Sequence, residues 1–309
     1  MSIRGWFVWE ELMTTDLKSA AGFYQKVAGL KTQKAAFDPN YTMFKGSGGN
    51  MGGLMLLPDE AKTGGTPPCW ISYIGTPNAD ETARMAASLG GKVQKAPWDI
   101  SDGGRIAIIS DPQGAAFAIY SNPKTTDTPP APKLGNASWH ELATSDYVGA
   151  FSFYQSLFGW HVVNDMDMGP GMGTYRLFAP EGVKEAFGGM YTKPPQQPGP
   201  PAWLPYIKVA SAKAAAETAK KSGAQIMHGP AEVPGGGWIV MAADPQGVRF
   251  ALHETPSSAT ASKPPSKPKA KAGAKKKAAP KKKSAPKRKK AKAAPKGKAR
   301  ARRKAGSKK

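Results

Sequence analysis

The sequence of 309 residues lacks several features that define common classes of protein. Cys69 is the only cysteine, so an intrachain disulfide and a cysteine-based zinc site are both excluded. No apolar run is long enough to cross a membrane, and the first residues lack the apolar core of a signal peptide. These absences predict a soluble protein of a reducing compartment, which is the cytoplasm.

Acidic residues are missing from the C-terminal segment. From Pro256 to Lys309 there are 23 Lys and Arg and no Asp or Glu, whereas the other 21 basic residues face all 22 acidic ones. The formal net charge of +22 therefore belongs to this segment, and residues 1–255 carry about −1. Its apolar content is too low for a core and its like charges repel, so the segment is predicted to be disordered alone.

Residues 3–121 and 135–254 are two copies of one module. Matching residues recur at a nearly constant spacing, 130 positions apart early in the module and 133 positions apart later. Such a spacing indicates a duplicated domain. The matched pairs are Glu11 with Glu141, Phe23-Tyr24 with Phe153-Tyr154, Gly29 with Gly159, Trp70 with Trp203, Gly90 with Gly223, and residues 111–114 (Asp-Pro-Gln-Gly) with residues 244–247.

The sequence pattern of each copy predicts a unit made of a strand, a helix and further strands, and this unit occurs twice in each copy. Apolar alternation over residues 6–15 predicts a strand, and Asp16 is placed to cap a helix that Gly29 ends. A second helix is predicted over residues 78–89. Further strands are predicted over residues 41–45, 53–57, 70–75, 92–95, 105–110 and 115–121. The predicted boundaries are 1–122 for the first domain, 123–134 for a Pro-rich linker, 135–255 for the second domain and 256–309 for the basic tail.

These motifs together resemble the vicinal-oxygen-chelate superfamily, which includes glyoxalase I, bleomycin- and fosfomycin-resistance proteins and extradiol dioxygenases. The resemblance is carried by Trp-(Glu/His)-Glu-Leu-x-Thr-x-Asp at 9–16 and 139–146, Phe-Tyr-x(4)-Gly at 23–29 and 153–159, and the two Asp-Pro-Gln-Gly turns. It implies an α+β fold of two tandem domains, each made of paired βαβββ units that enclose a metal and substrate. Trp-x-Glu-Leu with Trp-x-x-Tyr further resembles a two-domain bacterial subgroup called glyoxalase-like or hydroxylase-like.

The resemblance also implies where metal ligands would stand, on three strands of each domain. In this chain the corresponding residues are Trp9 and Trp139, Trp70 and Trp203, and Ala118 and Ala251. An indole offers no lone pair to a metal and alanine offers no donor atom. The usual metal site and a cofactor are therefore not expected. An unconventional site using His140, His161, His228 or His253 stays open, although these do not show the paired spacing of a ligand cluster.

In place of a metal, the sequence predicts clefts lined by aromatic side chains. Alternation on the first strand puts Trp9 and Glu11 on one face, which the resemblance makes concave. Tyr73 and Tyr206 are expected on the opposite face, packed under the helices. Trp98 and Trp238 are predicted to close over a ligand, and the alternative is that they seal the end of the sheet. The residues predicted to bind a ligand are Trp9, Trp70, Trp139, Trp203, Trp98, Trp238, Arg105 and Tyr120.

Glu11 and Glu141 are the candidate catalytic residues, together with His253. A carboxyl group among tryptophans would have a pKa raised by desolvation and would be suited to act as an acid or base. Glu141 and His253 are a candidate proton-transfer pair. The alternative is that each carboxylate is a structural acceptor for a backbone or indole N–H, or reaches solvent.

The basic tail resembles the C-terminal tails of linker histones and Lys/Ala/Pro-rich bacterial histone-like proteins. Neutralising phosphates releases condensed counterions, which gives strong, salt-sensitive binding without sequence specificity. An anionic membrane surface, a nuclear address and a solubility tail are alternatives. The residues predicted to bind nucleic acid are Lys275, Lys276, Lys277, Lys281, Lys282, Lys283, Lys287, Arg288, Lys289, Lys290, Arg300, Arg302 and Arg303.

The sequence therefore favours a protein that binds a small, partly apolar molecule without a metal and is tethered to nucleic acid by its tail. One alternative is an enzyme, either a glyoxalase-type lyase or isomerase or a hydroxylase, that uses Glu11 or Glu141. Another is a nucleoid-associated scaffold. The identity of the small molecule, the oligomeric state, and whether the copies pair within one chain or across a dimer stay open.

Overall fold

The computed structural model of the chain describes residues 3–36, 38, 41–101, 103–125 and 128–256. The tail and all residues predicted in it to bind nucleic acid lie outside these ranges. The elements of the first copy are β1 Phe7–Thr14, α1 Leu17–Ala28, β2 Lys31–Lys34, β3 Thr42–Gly46, β4 Gly49–Leu56, α2 Asp59–Thr63, β5 Cys69–Gly75, α3 Ala79–Ser88, β6 Lys92–Asp99, β7 Arg105–Ser110 and β8 Ala116–Ser121.

The second copy repeats the same order of elements, except for the short helix α2. Its elements are β9 Ala137–Thr144, α4 Tyr147–Phe158, β10 His161–Asp167, β11 Thr174–Ala179, β12 Gly188–Thr192, β13 Ala202–Lys208, α5 Ala212–Lys221, β14 Gln225–Glu232, β15 Trp238–Ala243 and β16 Arg249–Glu254. No described helix is both long enough and apolar enough to span a membrane.

Each copy forms its own eight-stranded sheet, which confirms the predicted paired βαβββ units. The strand order is β2-β3-β4-β1-β5-β8-β7-β6 in the first copy, and the second copy repeats it as β10-β11-β12-β9-β13-β16-β15-β14. The two halves of a sheet join where β1 pairs antiparallel with β5. The sequence does not predict β2 or α2. Strand β2 (Lys-Thr-Gln-Lys) is exposed at all four positions and has no apolar alternation, and the five-residue helix α2 has no buried residue.

The predicted helix ends are confirmed. The Asp16 side chain accepts a hydrogen bond from the Ser19 N–H at 3.0 Å, and α1 ends at Gly29 with a left-handed φ of 67°. Asp146 and Gly159 do the same for α4. An acceptor at the N-cap satisfies an otherwise unpaired N–H, and glycine adopts the left-handed conformation without steric cost.

The helices pack between the two sheets, so each copy completes the core of the other. One core cluster joins α1 to α5 and to β16, where Phe23 meets Phe250 at 5.4 Å between ring centroids. A second cluster joins α3 to α4. The copies therefore pair within one chain. We call the sheet face that packs on the helices the helix face, and the opposite one the cleft face.

Two reciprocal hydrogen-bond chains cross between the copies inside these cores. The Trp70 indole N–H donates to the Tyr24 hydroxyl at 3.2 Å, and that hydroxyl donates to Asp244 of the other copy at 3.2 Å. The mirrored chain runs from Trp203 through Tyr154 to Asp111, with distances of 2.9 and 3.2 Å. Each buried polar group thereby gains a partner, which removes much of the cost of burying it.

The Asp-Pro-Gln-Gly turns also hold the copies together. The Gln246 side-chain oxygen accepts from the Thr14 hydroxyl at 2.6 Å, the Thr15 hydroxyl at 2.7 Å and the Asp16 backbone N–H at 2.9 Å. Gln113 binds residues 144–146 in the same way. A sequence pattern that predicts only a turn therefore also supplies a contact between the copies.

We expect Gln113→Ala and Gln246→Ala to destabilise the protein by about 1–3 kcal/mol each, because the buried hydroxyl of Thr144 or Thr14 and the exposed donors beside it lose their shared acceptor. The free energy of unfolding from urea titration measures the loss. Gln25→Ala, at an exposed position of α1, serves as the control. An unchanged midpoint in both variants would show that these contacts do not stabilise the pairing.

Candidate functional site

A pocket lies on the cleft face of the second copy. Its volume is about 370 Å³, which falls within the range of small-molecule sites. Strands of both halves of the sheet contribute to it, together with the turn between β14 and β15. The described residues that line it are Trp139, Glu141, Met166, Met168, Tyr175, Leu177, Tyr206, Val233, Pro234, Gly235, Gly237, Ile239, His253 and Pro256.

Three side chains form a connected set at the base of this pocket. Trp139 and Glu141 lie two positions apart on β9 and so share one face of the sheet. The Tyr175 hydroxyl of β11 donates to the Glu141 carboxylate at 2.9 Å, and the Trp139 indole N–H donates to that hydroxyl at 3.0 Å. The tyrosine therefore links the indole to the carboxyl group.

Glycine at position 189 makes this arrangement possible. Gly189 of β12 lies beside Glu141, and a Cβ added there would overlap the Tyr175 ring. Gly53 plays the same part in the first copy, where a Cβ would overlap the Tyr41 hydroxyl. The close approach of a tyrosine ring to the strand thus accounts for glycine in two strand interiors, where it is otherwise unfavourable.

The ionisable groups of the pocket are held towards their neutral forms. Burial raises the pKa of Glu141, and the hydrogen bond from Tyr175 and the nearby Tyr206 hydroxyl only partly oppose this. Burial and then the charge of Lys208 lower the pKa of His253, whose Nδ1 lies 3.0 Å from the Ser138 hydroxyl. The buried Tyr206 hydroxyl has no partner of normal geometry among the described residues, although it is close enough to influence Glu141.

The first copy repeats the connected set. The Tyr41 hydroxyl donates to Glu11 at 2.6 Å, and the Trp9 indole N–H lies 3.2 Å from that hydroxyl. Burial raises the pKa of Glu11 to about 7, and its Oε1 has no hydrogen-bond partner among the described residues. A carboxyl group that titrates near neutrality is suited to gain or lose a proton under physiological conditions.

The cleft faces do not offer a ligand set for a metal. The indole groups of Trp9 and Trp139 act as hydrogen-bond donors, and Ala118 and Ala251 are fully buried without any donor atom. Within the described ranges, no group of three or more His, Cys, Asp or Glu side chains is placed to hold a metal ion. The residues present therefore do not fit the metal that the superfamily implies.

Trp70 and Trp203 do not line a cleft, so that prediction is wrong. The register pairs Leu12 with Trp70 and Trp9 with Tyr73, so Trp70 faces the helices. Trp203 of β13 is likewise buried in the core of the helix face. The alternation has a period of two, so an error of one residue in alignment reverses every side chain.

Tyr73 and Tyr206 are also misassigned by the sequence, for the same reason. Tyr206 pairs with Trp139 and lines the pocket, and Tyr73 is the corresponding partner of Trp9. The sequence does not predict Tyr41 and Tyr175 as site residues, and the structure places them beside Glu11 and Glu141. Tyr41 and Tyr175 lie 134 positions apart, and Tyr73 and Tyr206 lie 133 positions apart. Both spacings match the repeat and identify the two pairs as equivalent positions of the copies.

Arg105 and Trp238 also lie away from the cleft faces, which corrects their predicted role. Arg105 forms ion pairs with Asp80 of α3 at 2.6 Å and with Asp99 at 2.8 Å. Trp238 packs on the core beside α5, with the Lys213 ammonium 4.0 Å from its ring centroid. Both side chains therefore lie on the helix face of the outer strands.

Trp98 and Tyr120 remain predicted ligand-binding residues. Both lie opposite Ile106 in neighbouring strands. Tyr120 is two residues beyond Ala118 on β8 and therefore shares its cleft face, where its hydroxyl accepts from the Asn122 amide at 3.0 Å. Trp98 is half-buried, with the Lys95 ammonium 4.1 Å from its ring centroid.

Comparison with known families agrees with this architecture. The family model described as the Glyoxalase/Bleomycin resistance protein/Dioxygenase superfamily matches residues 6–119 and again residues 137–252. The chain therefore belongs to this superfamily, with one match in each copy. The predicted resemblance to the vicinal-oxygen-chelate proteins is thereby confirmed.

Two named relatives align with nearly the whole of their own lengths. The protein named "Putative glyoxylase CFP32" of Mycobacterium tuberculosis is 30% identical over 252 residues, which cover 79% of this chain and 92% of that protein. The "Anthracycline biosynthesis protein DnrV" of Streptomyces peucetius is 25% identical over 274 residues, which cover 80% and 92%.

Solved structures share the fold at low sequence identity. The Mn(II)-bound glyoxalase from Novosphingobium aromaticivorans aligns with a TM-score of 0.58 at 16% identity, covering 81% of this chain and 82% of that one. The 2,3-dioxygenase LapB from a Pseudomonas species aligns with a TM-score of 0.57 at 13% identity, covering 85% and 97%. At such identities the likeness supports the fold and carries no information on the reaction.

We expect Glu11→Gln to become more stabilising as the pH rises. The folded-state pKa of about 7 exceeds the ordinary 4.5, so ionisation of the buried carboxyl destabilises the native protein increasingly from about pH 4.5 until the effect levels off above pH 7. The shift corresponds to about 3 kcal/mol at high pH, as an order of magnitude.

Thermal unfolding of the wild type and of Glu11→Gln at pH 5 and pH 8 measures this difference. Other titrating groups are common to both proteins and cancel. Glu60→Gln, at an exposed position, is the matched control. If the difference in melting temperature is the same at both pH values, Glu11 does not titrate as its burial implies.

Proposed function

We propose that the pocket of the second copy binds a small, partly apolar molecule without a metal ion. Its volume of about 370 Å³ and its wall of Trp139, Leu177, Met166 and other apolar side chains suit such a ligand. The single observation that supports this most is the buried Glu141 carboxyl group, which lies among apolar side chains at the base of an accessible cavity.

The proposal is tested by titrating the full chain with prodan, a neutral naphthyl ketone dye whose emission shifts to the blue in apolar surroundings. We expect saturable binding that Val233→Trp weakens at least about tenfold, because the indole fills space beside the pocket wall. Val162→Trp, at an exposed position of β10 outside the lining, should leave binding unchanged. Absence of saturable binding to the wild type would refute the proposal.

An enzymatic role for Glu141 is a second candidate, in a lyase or isomerase of glyoxalase type or in a hydroxylase. The raised pKa values of Glu141 and Glu11 favour it, because perturbed carboxyl groups in clefts serve as proton donors or acceptors. Here the Tyr175 hydroxyl would hold one oxygen of Glu141 while the other exchanges a proton with the substrate. His253 lines the same pocket and remains a candidate partner for Glu141.

Glu141→Gln separates binding from catalysis. The amide keeps the shape and the hydrogen bond from Tyr175 but cannot exchange a proton, so ligand affinity should persist and any turnover should be lost. The names of two relatives, a putative glyoxylase and an anthracycline biosynthesis protein, suggest glyoxylase substrates and anthracycline precursors as the first compounds to assay. Full turnover in this variant would exclude Glu141 as the acid or base.

We further propose that the tail tethers the protein to nucleic acid without sequence specificity. This rests on composition, since 23 basic and no acidic residues occupy Pro256–Lys309. A nucleoid-associated scaffold remains the alternative. In that case nucleic-acid binding by the tail is the whole function and the pocket binds no ligand. Loss of DNA binding with retained prodan binding after removal of the tail would favour two separate activities.

We expect removal of residues 257–309 to abolish binding to duplex DNA at 150 mM salt. A tail with the same composition in shuffled order should restore it, because counterion release depends on charge and not on sequence. Fluorescence anisotropy over a salt series measures the affinity and its salt slope. If the truncated protein keeps the affinity and slope of the full chain, the tail is not the tether.

A further inference from the structure

The described wall of the second-copy pocket contains no permanently cationic side chain. None of the described residues that line it is Lys or Arg. Lys208 influences His253 through its charge, but its ammonium group donates to the Pro132 carbonyl oxygen at 3.3 Å and is not part of the wall. A carboxylate ligand would thus lose its hydration without gaining a paired cation, which is unfavourable in an apolar site.

The titratable side chains of the wall do not compensate for this. Burial raises the pKa values of Glu141, Tyr175 and Tyr206 and lowers that of His253, so all four resist becoming charged. An anionic ligand would lie beside the Glu141 carboxyl group, whose own ionised form is already disfavoured by burial. Protonation of His253 to pair with the anion would have to overcome both its burial and the charge of Lys208.

Two hydroxyl-bearing groups are placed to donate to a neutral ligand. The Glu141 Oε2 accepts from the Tyr175 hydroxyl at 2.9 Å, which leaves the other oxygen to carry the proton whenever this carboxyl group is neutral. The Tyr206 hydroxyl is buried beside it and has no partner of normal geometry among the described residues. A buried donor without a partner is costly, and an acceptor atom on a ligand would satisfy it.

We propose that this pocket selects neutral molecules that combine an apolar ring system with a hydrogen-bond acceptor, such as a ketone or aldehyde oxygen, and that it excludes carboxylates. The acceptor lies against Glu141 and Tyr206, and the rings lie between Trp139, Leu177 and Met166. This inference rests on the proposed function, because it assigns a ligand class to the same pocket.

The test is competition against bound prodan at pH 7 by three naphthalenes of nearly equal size. They are 2-acetylnaphthalene, which carries a neutral acceptor, 2-ethylnaphthalene, which has no polar group, and 2-naphthoate, which is an anion. We expect the ketone to bind about threefold to tenfold more tightly than the hydrocarbon, as one neutral hydrogen bond allows. The carboxylate should bind at least about tenfold more weakly than the ketone.

Variants assign the selectivity to particular groups. Tyr206→Phe should reduce the advantage of the ketone over the hydrocarbon by about threefold, while Tyr73→Phe, at the same position of the first copy, should not change it. Glu141→Gln should retain the ketone preference, because its amide N–H is a hydrogen-bond donor at the same position. Circular dichroism melting curves check that each variant is folded.

The outcomes separate the two levels of the proposal. If prodan binds but 2-naphthoate competes as well as the ketone, the ligand class is wrong and the binding function stands. An unchanged ketone advantage in Tyr206→Phe likewise overturns the assigned role of that hydroxyl. If prodan does not bind the wild-type chain at all, the binding function and the ligand class both fail.

Discussion

A buried contact between Glu10 and His140 fixes how the two copies face each other. These residues occupy the same position of the repeat, 130 apart, yet the His140 Nε2 lies 2.6 Å from a Glu10 carboxylate oxygen. Ser72 donates to the other oxygen at 2.6 Å, and Phe7 stacks on the imidazole at 3.6 Å. Two glutamates here would bury like charges together, which is strongly unfavourable. The copies are therefore complementary and not interchangeable.

Most of the repeated motifs serve this pairing. Trp70 donates to the Tyr24 hydroxyl, which in turn donates to Asp244 of the other copy. Gln246, in the same turn as Asp244, binds the start of α1. A polar group buried between two sheets needs a partner with defined geometry, so these positions have little freedom to change independently. Because the helix faces are buried against each other, the cleft faces are where ligand chemistry can differ between the copies.

The sequence predicts the duplication, the helix caps and the paired βαβββ order because each depends on local spacing or turn chemistry. It does not predict the face on which Trp70 lies, because that depends on the register between β1 and β5, which pairs Leu12 with Trp70. Nor does it predict that Tyr41 reaches Glu11, since that contact requires glycine at position 53 of a third strand. Local patterns define elements, whereas sites depend on pairing between distant strands.

The register of the outer strands determines which differences between the copies reach the cleft faces. Arg105 and Trp238 occupy the same repeat position in the two copies, and both side chains lie on the helix face. The difference that matters lies on β8 and β16, where Tyr120 in the first copy corresponds to His253 in the second. Both clefts keep the connected tryptophan, tyrosine and glutamate. Among the described residues, the second cleft alone adds an imidazole, that of His253, whose Nδ1 lies 3.0 Å from the Ser138 hydroxyl, so the two clefts differ in a titratable group.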